Sequence, residues 1–296
     1  MSTIRTVRRG GRAYRYLAQS YRWRGAVRRK ELYLGRSIPK NLVPARRALE
    51  EAVWKDTWFA QFDAIKAAYQ KRWAGLPTSV RDKEVEDFAT EFTYDTNRIE
   101  GSTLSFEDTR LLLERGITPA RRPVRDVVET QRHAALIRRL IRNPEAIDLH
   151  RLMSWHKELF GETKPDIAGR LRDFGVRIGG SRHVPPAASD VPPLLAELIR
   201  WMRRSSTTLH PLRVAAEFHF RFEHIHPFGD GNGRVGRLAL NDLLALRGYP
   251  MINIPYTRRQ GYYRALELSS VGGDTRPFLH WFFLRYSRDT QFFLRS

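Results

Sequence analysis

The chain of 296 residues contains no cysteine. That excludes disulfides, thiolate metal sites and cysteine nucleophiles, and leaves the compartment open. It has no apolar run of the roughly 18 residues that a membrane helix needs, and no apolar segment behind its N-terminus that would mark a cleaved leader. These absences read as a cytoplasmic chain without a membrane partner. Acidic residues are scarce beside basic ones, 32 against 52, for a formal net charge of +20. The nine histidines show no ligand spacing such as His-Glu-x-x-His, so no structural zinc site is expected. There is no internal repeat and no low-complexity tract, which excludes a solenoid.

The basic excess is unevenly placed. Residues 1–47 hold fourteen Arg or Lys and one acidic residue, Glu31. Within them, residues 12–19, 21–24 and 31–34 alternate apolar and polar side chains around Arg24-Gly-Ala, the pattern of a small antiparallel sheet. A ribbon of that size is marginal alone, so it is expected to pack on a following helix from about Pro44 to Trp73. Arginines interleaved with Tyr14, Tyr16, Tyr21 and Trp23 offer phosphate contacts and base stacking, which makes nucleic acid a candidate partner of this module. A solvated docking ribbon in an arginine-rich chain is the plainer account of the same residues.

The remainder reads as helices with short connections. They are expected at Ser79 to Asn97, from a capping box at Ser105 to about Arg115, at Pro123 to Asn143, and at Pro144 to Phe160. Further helices follow at Val191 to Arg204, Pro211 to Ile225, Arg234 to Leu246, Arg258 to Ser270 and Arg276 to Tyr286. Between them, Leu171 and Val176 to Ile178 read as two short strands around Asp173-Phe-Gly, a β-hairpin. The expected fold class is mainly α, a helical bundle with one hairpin, plus the small N-terminal antiparallel β module. The expected domains are a basic β-rich module at 1–40, a linking helical region at 41–89 and a main body at 90–296. A hydrophobic fraction of 42% suffices for a core.

The most informative stretch is His226-Pro-Phe-Gly-Asp-Gly-Asn-Gly-Arg-Val-Gly-Arg237. A base, a carboxylate, an amide, two guanidiniums and closely spaced glycines suit a polyphosphate ester. Glycines at 229, 231 and 233 let the backbone turn with positive φ and approach an anion. A helix should begin at once, with Val235, Leu238, Leu243 and Leu246 near one face and its N-terminus toward the same phosphate. Asp230 is placed to hold Mg²⁺ against the phosphates. Arg234 and Arg237 are neighbours on the helix surface, where their forks can clamp phosphate oxygens. His226 supplies a base that titrates near neutrality.

These residues resemble the signature of the Fic (Fido) family, His-x-Phe-x-Asp/Glu-Gly-Asn-Gly-Arg-x-x-Arg, with every fixed position matched. The resemblance covers about residues 90–285 and implies a Fic-type helical bundle that transfers AMP from ATP to a protein Ser, Thr or Tyr hydroxyl. It implies that His226 deprotonates the hydroxyl and Asp230 binds Mg²⁺. Asn232, Arg234 and Arg237 would hold the three phosphates, Gly231, Gly233 and Gly236 would belong to the nucleotide loop, and Phe228 would anchor it from beneath. A relative with lysine in place of Gly233 phosphorylates instead, so Gly233 favours nucleotide transfer.

Upstream, Thr96-Asn-Arg-Ile-Glu-Gly101 resembles the family's inhibitory motif, in the class with an N-terminal inhibitory helix. That likeness implies that Glu100 pairs with Arg237, so that ATP binds unproductively in the resting enzyme. The expected hairpin resembles the family's flap, with Ile178, Gly179, Gly180 and Ser181 bordering the nucleotide and the target held by strand-edge pairing. Residues 258–266 are similar to the later helix in which Tyr262 and Tyr263 approach the adenosine; Ser270 stands where relatives often carry asparagine. The expectation is therefore an autoinhibited protein adenylyltransferase. Its partners are ATP with Mg²⁺ and an unidentified protein target, with the chain itself one candidate and a homodimer also allowed. Two rivals are removal of AMP by the same site, and a DNA-binding regulator whose Fic-like body senses nucleotide.

Overall fold

The computed structural model describes residues 2–23 and 25–295. Two compact units divide at Ile65/Lys66, inside the stretch 41–89 expected to link the module to the body.

In the first unit, β1 (Ser2–Arg9), β2 (Arg12–Trp23) and β3 (Ala26–Gly35) form one antiparallel sheet in the order β1-β2-β3. Arg9 pairs with Arg12 across Gly10-Gly11, whose φ values of 53° and 75° suit the two-residue turn that matches strand twist. Arg24, in the expected turn, lies outside the described residues. β1 escapes the pattern reading because its two large apolar residues, Ile4 and Val7, fall on opposite faces and make no alternation. The helix expected from Pro44 to Trp73 is interrupted in its type. Helix α1 (Val43–Trp54) crosses β2 and β3, a π-helical turn spans Lys55–Phe59, and α2 (Ala60–Gly75) continues across the division of units. The Thr57 hydroxyl donates to the Val53 carbonyl at 2.8 Å, serving a group at the join into the wide turn.

In the second unit the helices are α3 (Thr78–Ile99), α4 (Phe106–Arg115), α5 (Val124–Arg142), α6 (Leu149–Phe160), α7 (Val191–Ser205), α8 (Pro211–Ile225), α9 (Asn232–Leu246), α10 (Arg259–Gly272) and α11 (Arg276–Thr290). Ser105 caps α4 in a reciprocal box with Asp108, and Gly116 closes that helix at φ 68°. Helix α6 starts at Leu149 rather than Pro144, because the Asp148 carboxylate takes the Arg151 amide at 2.8 Å and fixes the first turn there. Helix α9 is the axis of the unit and packs against α3, α5, α6 and α8. It is not the one-sided amphipathic helix expected: every residue from Asn232 to Leu244 is buried, charged ones included, while Leu246 is exposed. None of the helices among the described residues is long and apolar enough to cross a membrane.

The expected hairpin is the main departure. Among the described residues of 169–187 there is no strand. The chain turns at Gly179-Gly180 instead of at Asp173-Phe-Gly, closed by the Ser181 amide on the Ile178 carbonyl at 3.1 Å, with Gly180 at φ 74°. Its backbone is served by a side chain instead of a ladder. The Arg172 guanidinium donates to the carbonyls of Phe174 (3.0 Å), Pro186 (2.7 Å) and His226 (2.8 Å), tying both ends of the segment to the loop after α8.

Candidate active site

The loop from His226 to Gly231 joins α8 to α9. His226 caps α8 in the left-handed region, φ 53° and ψ 61°, a conformation that costs energy in a non-glycine residue and is held here by the loop around it. Of the glycines at 229, 231 and 233, only Gly231 has positive φ, at 77°. The other two are required for space. A Cβ at Gly229 would come within 2.9 Å of the Phe174 ring, and one at Gly233 within 2.1 Å of the Glu100 carboxylate.

Phe228 is fully buried beneath the loop and stacks on His156, with ring centroids 4.0 Å apart. His156 Nδ1 accepts the Gly169 amide at 2.9 Å, so its Nε2 carries the proton and donates to the Asp230 carbonyl at 3.0 Å. Burial holds the His156 pKa down to about 4, which keeps the ring in the neutral form this bonding needs. Asn232 spends its amide on the backbone of Phe228, accepting from its N–H at 2.8 Å and donating to its carbonyl at 2.9 Å. In this state it braces the loop.

One cavity of about 580 Å³ opens on this loop and on the N-terminus of α9. It is bordered by His226, Asp230, Gly231, Asn232, Gly233 and Arg237. Opposite lie Ile178 to Ser181, Tyr262, Tyr263 and Glu100, so residues scattered from 100 to 270 in sequence meet at one place. Two of the motif residues expected at the nucleotide do not border it. Arg234 turns to a neighbouring cavity of about 170 Å³, where its guanidinium pairs with Glu129 and lies over the Phe160 ring. Gly236 faces α8, where a Cβ would strike Glu223 at 2.3 Å, so it serves helix packing rather than bordering the cavity.

Arg237 is 2% exposed, and its Nε and Nη2 are engaged. It donates to the Thr96 hydroxyl, to the Thr96 carbonyl at 3.1 Å and to Glu100 Oε1 at 2.7 Å. Glu100 reaches this position from the C-cap of α3, where Gly101 at φ 92° turns the chain away. The Tyr263 hydroxyl donates to the Ile99 carbonyl at 3.1 Å and tethers that helix end to α10. Tyr262 is buried with its hydroxyl 2.9 Å from His219 Nε2.

His226 Nδ1 lies 3.3 Å from the Glu223 carbonyl, so a proton held there leaves Nε2 free to act as a base. Burial lowers its pKa and favours the neutral ring. Burial alone would raise the Asp230 carboxyl, but the Lys164 ammonium at 2.8 Å, Arg234 and the Gly231 amide outweigh it and hold the pKa below the usual range. Glu223 is pushed the other way, to about 8, by burial, with Oε1 enclosed and unpartnered among the described residues.

Six functional side chains lie outside the sequence reading: Lys164, Glu129, His156, Arg172, Glu223 and Glu267. Glu267 fixes the turn of the 169–187 segment by taking the Ser181 hydroxyl and the Arg182 amide, the latter at 2.9 Å. Its spacing of four from Tyr263 was a usable signal, since it shares that helix face. Nothing in the local pattern distinguishes Arg172 from Arg170 or Arg177.

A helical body around a buried α9 presents a histidine–carboxylate–arginine loop at that helix's N-terminus, an arrangement suited to an anion. The Fic/DOC family model matches residues 146–244. Over 195 residues the chain is 34% identical to the protein adenylyltransferases Fic of Drosophila melanogaster and Drosophila sechellia, an alignment that covers 63% of this chain and 38% of each relative. The chain thus spans under half the length of the curated relatives it matches. Among solved structures, a Fic domain containing signaling protein from Bacteroides thetaiotaomicron superposes with a TM-score of 0.72 at 23% identity, covering 79% of this chain and 96% of that one. Fic-1 of C. elegans superposes with a TM-score of 0.70 at 25% identity, covering 86% and 76%. Residues 146–244 thus match the Fic/DOC family model, within a fold that resembles these solved Fic structures.

Proposed function

We propose that this chain is a protein adenylyltransferase whose resting state is closed by Glu100. The observation that carries the reading is the Arg237–Glu100 ion pair inside the cavity that also holds His226 and Asp230. A guanidinium occupied by a carboxylate cannot also clamp a terminal phosphate, so ATP enters in an unproductive pose until Glu100 leaves. The similarity to enzymes named protein adenylyltransferase favours AMP as the transferred group.

His226 Nε2 takes the proton of the target hydroxyl, the hydroxyl oxygen bonds to the α-phosphorus, and the bond to the β-phosphate breaks with departure of pyrophosphate. The N-terminus of α9 and Arg237 stabilise the negative charge on the nucleotide. Of the four carboxylates that border the cavity, Glu100 is held by Arg237, buried Glu223 favours its protonated form and Glu267 is bonded to Ser181 and Arg182, which leaves Asp230 beside the loop; no cluster of three or more His, Cys, Asp or Glu able to hold a metal occurs among the described residues. That donor set fits Mg²⁺ arriving with the nucleotide, since Mg²⁺ is commonly held by one carboxylate plus substrate phosphates. When bound, the ion would neutralise charge on the departing pyrophosphate. The target backbone pairs along residues 176–183, a segment with exposed Arg177 and Gly179 and without strand partners among the described residues.

The test compares wild type, Glu100→Gly and His226→Ala incubated with Mg²⁺ and ATP labelled at the α or γ position. Label from the α position alone, strongest in Glu100→Gly by roughly tenfold or more and absent in His226→Ala, is the expected result. Label from the γ position means phosphate transfer, and release of AMP from a modified protein only with Glu100 intact means removal. Equal labelling of wild type and Glu100→Gly refutes the closed resting state.

A further inference from the structure

The pleat of the N-terminal sheet sorts its aromatic and basic residues onto two faces, and the sorting differs from the sequence expectation. Tyr21 and Trp23 belong to the helix side. The Tyr21 hydroxyl donates to Asp56 at 3.2 Å, Lys30 pairs with Asp56 at 2.8 Å, and Trp23 packs edge-on to Trp58 at 5.6 Å. Leu17, fully buried, is on the same side. Tyr14 and Tyr16 therefore point the opposite way, and the register adds Tyr33, which pairs with Tyr16 across β3. Their rings form a cluster with centroids 5.3 Å (Tyr16–Tyr33) and 6.3 Å (Tyr14–Tyr33) apart.

The same register places Arg5, Arg9, Arg12, Arg22 and Arg29 on that outer face, all exposed, against the single carboxylate Glu31. Arg5 and Arg29 share Glu31 at 2.9 Å and 3.1 Å. No carboxylate among the described residues pairs with Arg9, Arg12 or Arg22. Tyr33 is 52% exposed. The face thus presents π-surface at its centre and guanidiniums toward both ends of the strands.

We infer that this outer face binds single-stranded nucleic acid, its bases stacked on the tyrosine cluster and its phosphates held by Arg9, Arg12 and Arg22. The charge sets the class of ligand, since a polyanion satisfies three exposed guanidiniums that have no carboxylate partner among the described residues. The shape selects a single strand. A duplex major groove admits a two-stranded ribbon, whereas this sheet has three strands and a helix across its back, and an open strand can lie flat across it. The inference is independent of the adenylyltransferase reading, because it uses no residue of that site.

The test titrates the full-length protein into a fluorescent 16-nucleotide single strand, and separately into a duplex of the same sequence, by anisotropy at several salt concentrations. Single-strand binding that weakens with a log–log salt slope of about −2, as three phosphate contacts require, is the expected result. Tyr33→Ala should weaken it at least about fivefold. Arg9→Glu/Arg22→Glu should abolish it, while Arg8→Glu/Arg28→Glu, the same charge change on the opposite face, should leave most of it. Circular dichroism of each variant verifies the fold. Equal loss from both pairs, tighter binding of the duplex, indifference to Tyr33→Ala, or no binding at low salt would each overturn the inference.

Discussion

Both carboxylate oxygens of Asp230 are already engaged, Oδ1 by the Gly231 amide and Oδ2 by Lys164 at 2.8 Å. A divalent cation arriving there with a nucleotide meets an ammonium beside its ligand oxygen, and like charges at that range repel by several kcal/mol before screening (about 4 kcal/mol for unit charges at 4 Å). Lys164 has somewhere to go, because Glu129 Oε1 lies 3.1 Å from the same nitrogen. In the proposed enzyme the metal would then bind at the expense of one of the two lysine contacts. Lys164→Met is expected to tighten binding of Mn²⁺, read by its electron spin resonance with a non-hydrolysable ATP analogue, by roughly tenfold. An unchanged affinity would show that the lysine moves at no cost to the metal. The loop itself was legible at this scale, since a base, a carboxylate and two arginines in twelve residues report their chemistry through type and spacing. Lys164 and Glu129 were not, because each is an ordinary charged residue until the fold brings it to Asp230.

Legibility at the scale of elements depended on how local the cause was. Helix α4 was readable to the residue, because its capping box and its left-handed glycine are contiguous signals. The 169–187 segment was misread because its order comes from a distant interaction. Arg172 gathers carbonyls from both of its ends and from the loop after α8, and no alternation in the segment encodes that. Arg172→Met keeps the length of the side chain and strands those carbonyls. It should destabilise the protein by about 2–4 kcal/mol and speed proteolysis between residues 173 and 183. Thermal unfolding and limited digestion followed by mass spectrometry measure both; normal digestion kinetics would assign the order of the segment to Glu267 and the glycine turn instead. Helix α9 defied its pattern for a related reason. Its polar residues are buried with partners on α3, α5 and α6 and in the flanking loops, so the usual link between polarity and exposure fails along it.

Across the whole molecule, buried ionisable groups set how stability responds to pH. Glu223 has a folded pKa of about 8 against an ordinary 4.5, so the native state keeps a proton that the unfolded chain releases. Its contribution is complete below pH 4.5 and is lost as pH rises toward 8. Buried His156 and His219, with pKa values of about 4 and 3, act in the opposite sense and cost stability as pH falls below 6.5. Glu223→Gln should therefore flatten the alkaline side of the stability curve, removing on the order of 2–4 kcal/mol of loss between pH 5 and 8. Melting temperatures of both proteins across that range measure it, and parallel curves would show that the Glu223 carboxyl ionises normally in the fold. Charge at this scale was fully legible, since +20 is a sum over the chain, but its division between two faces of the sheet needed the strand register.

The contact between Glu100 and Arg237 also sets a concentration scale. In the proposed enzyme, productive ATP binding is open only to the fraction of molecules whose glutamate has left, and the apparent Kd is the intrinsic one divided by that fraction. Glu100 sits at the C-terminal end of α3, where the helix dipole disfavours an anion by about 0.3–1 kcal/mol, which keeps that fraction from becoming vanishingly small. A closed state favoured by about 1.4 kcal/mol raises the ATP level needed for half-saturation tenfold. The chain would then report on nucleotide supply as a graded sensor, with its set point fixed by one carboxylate.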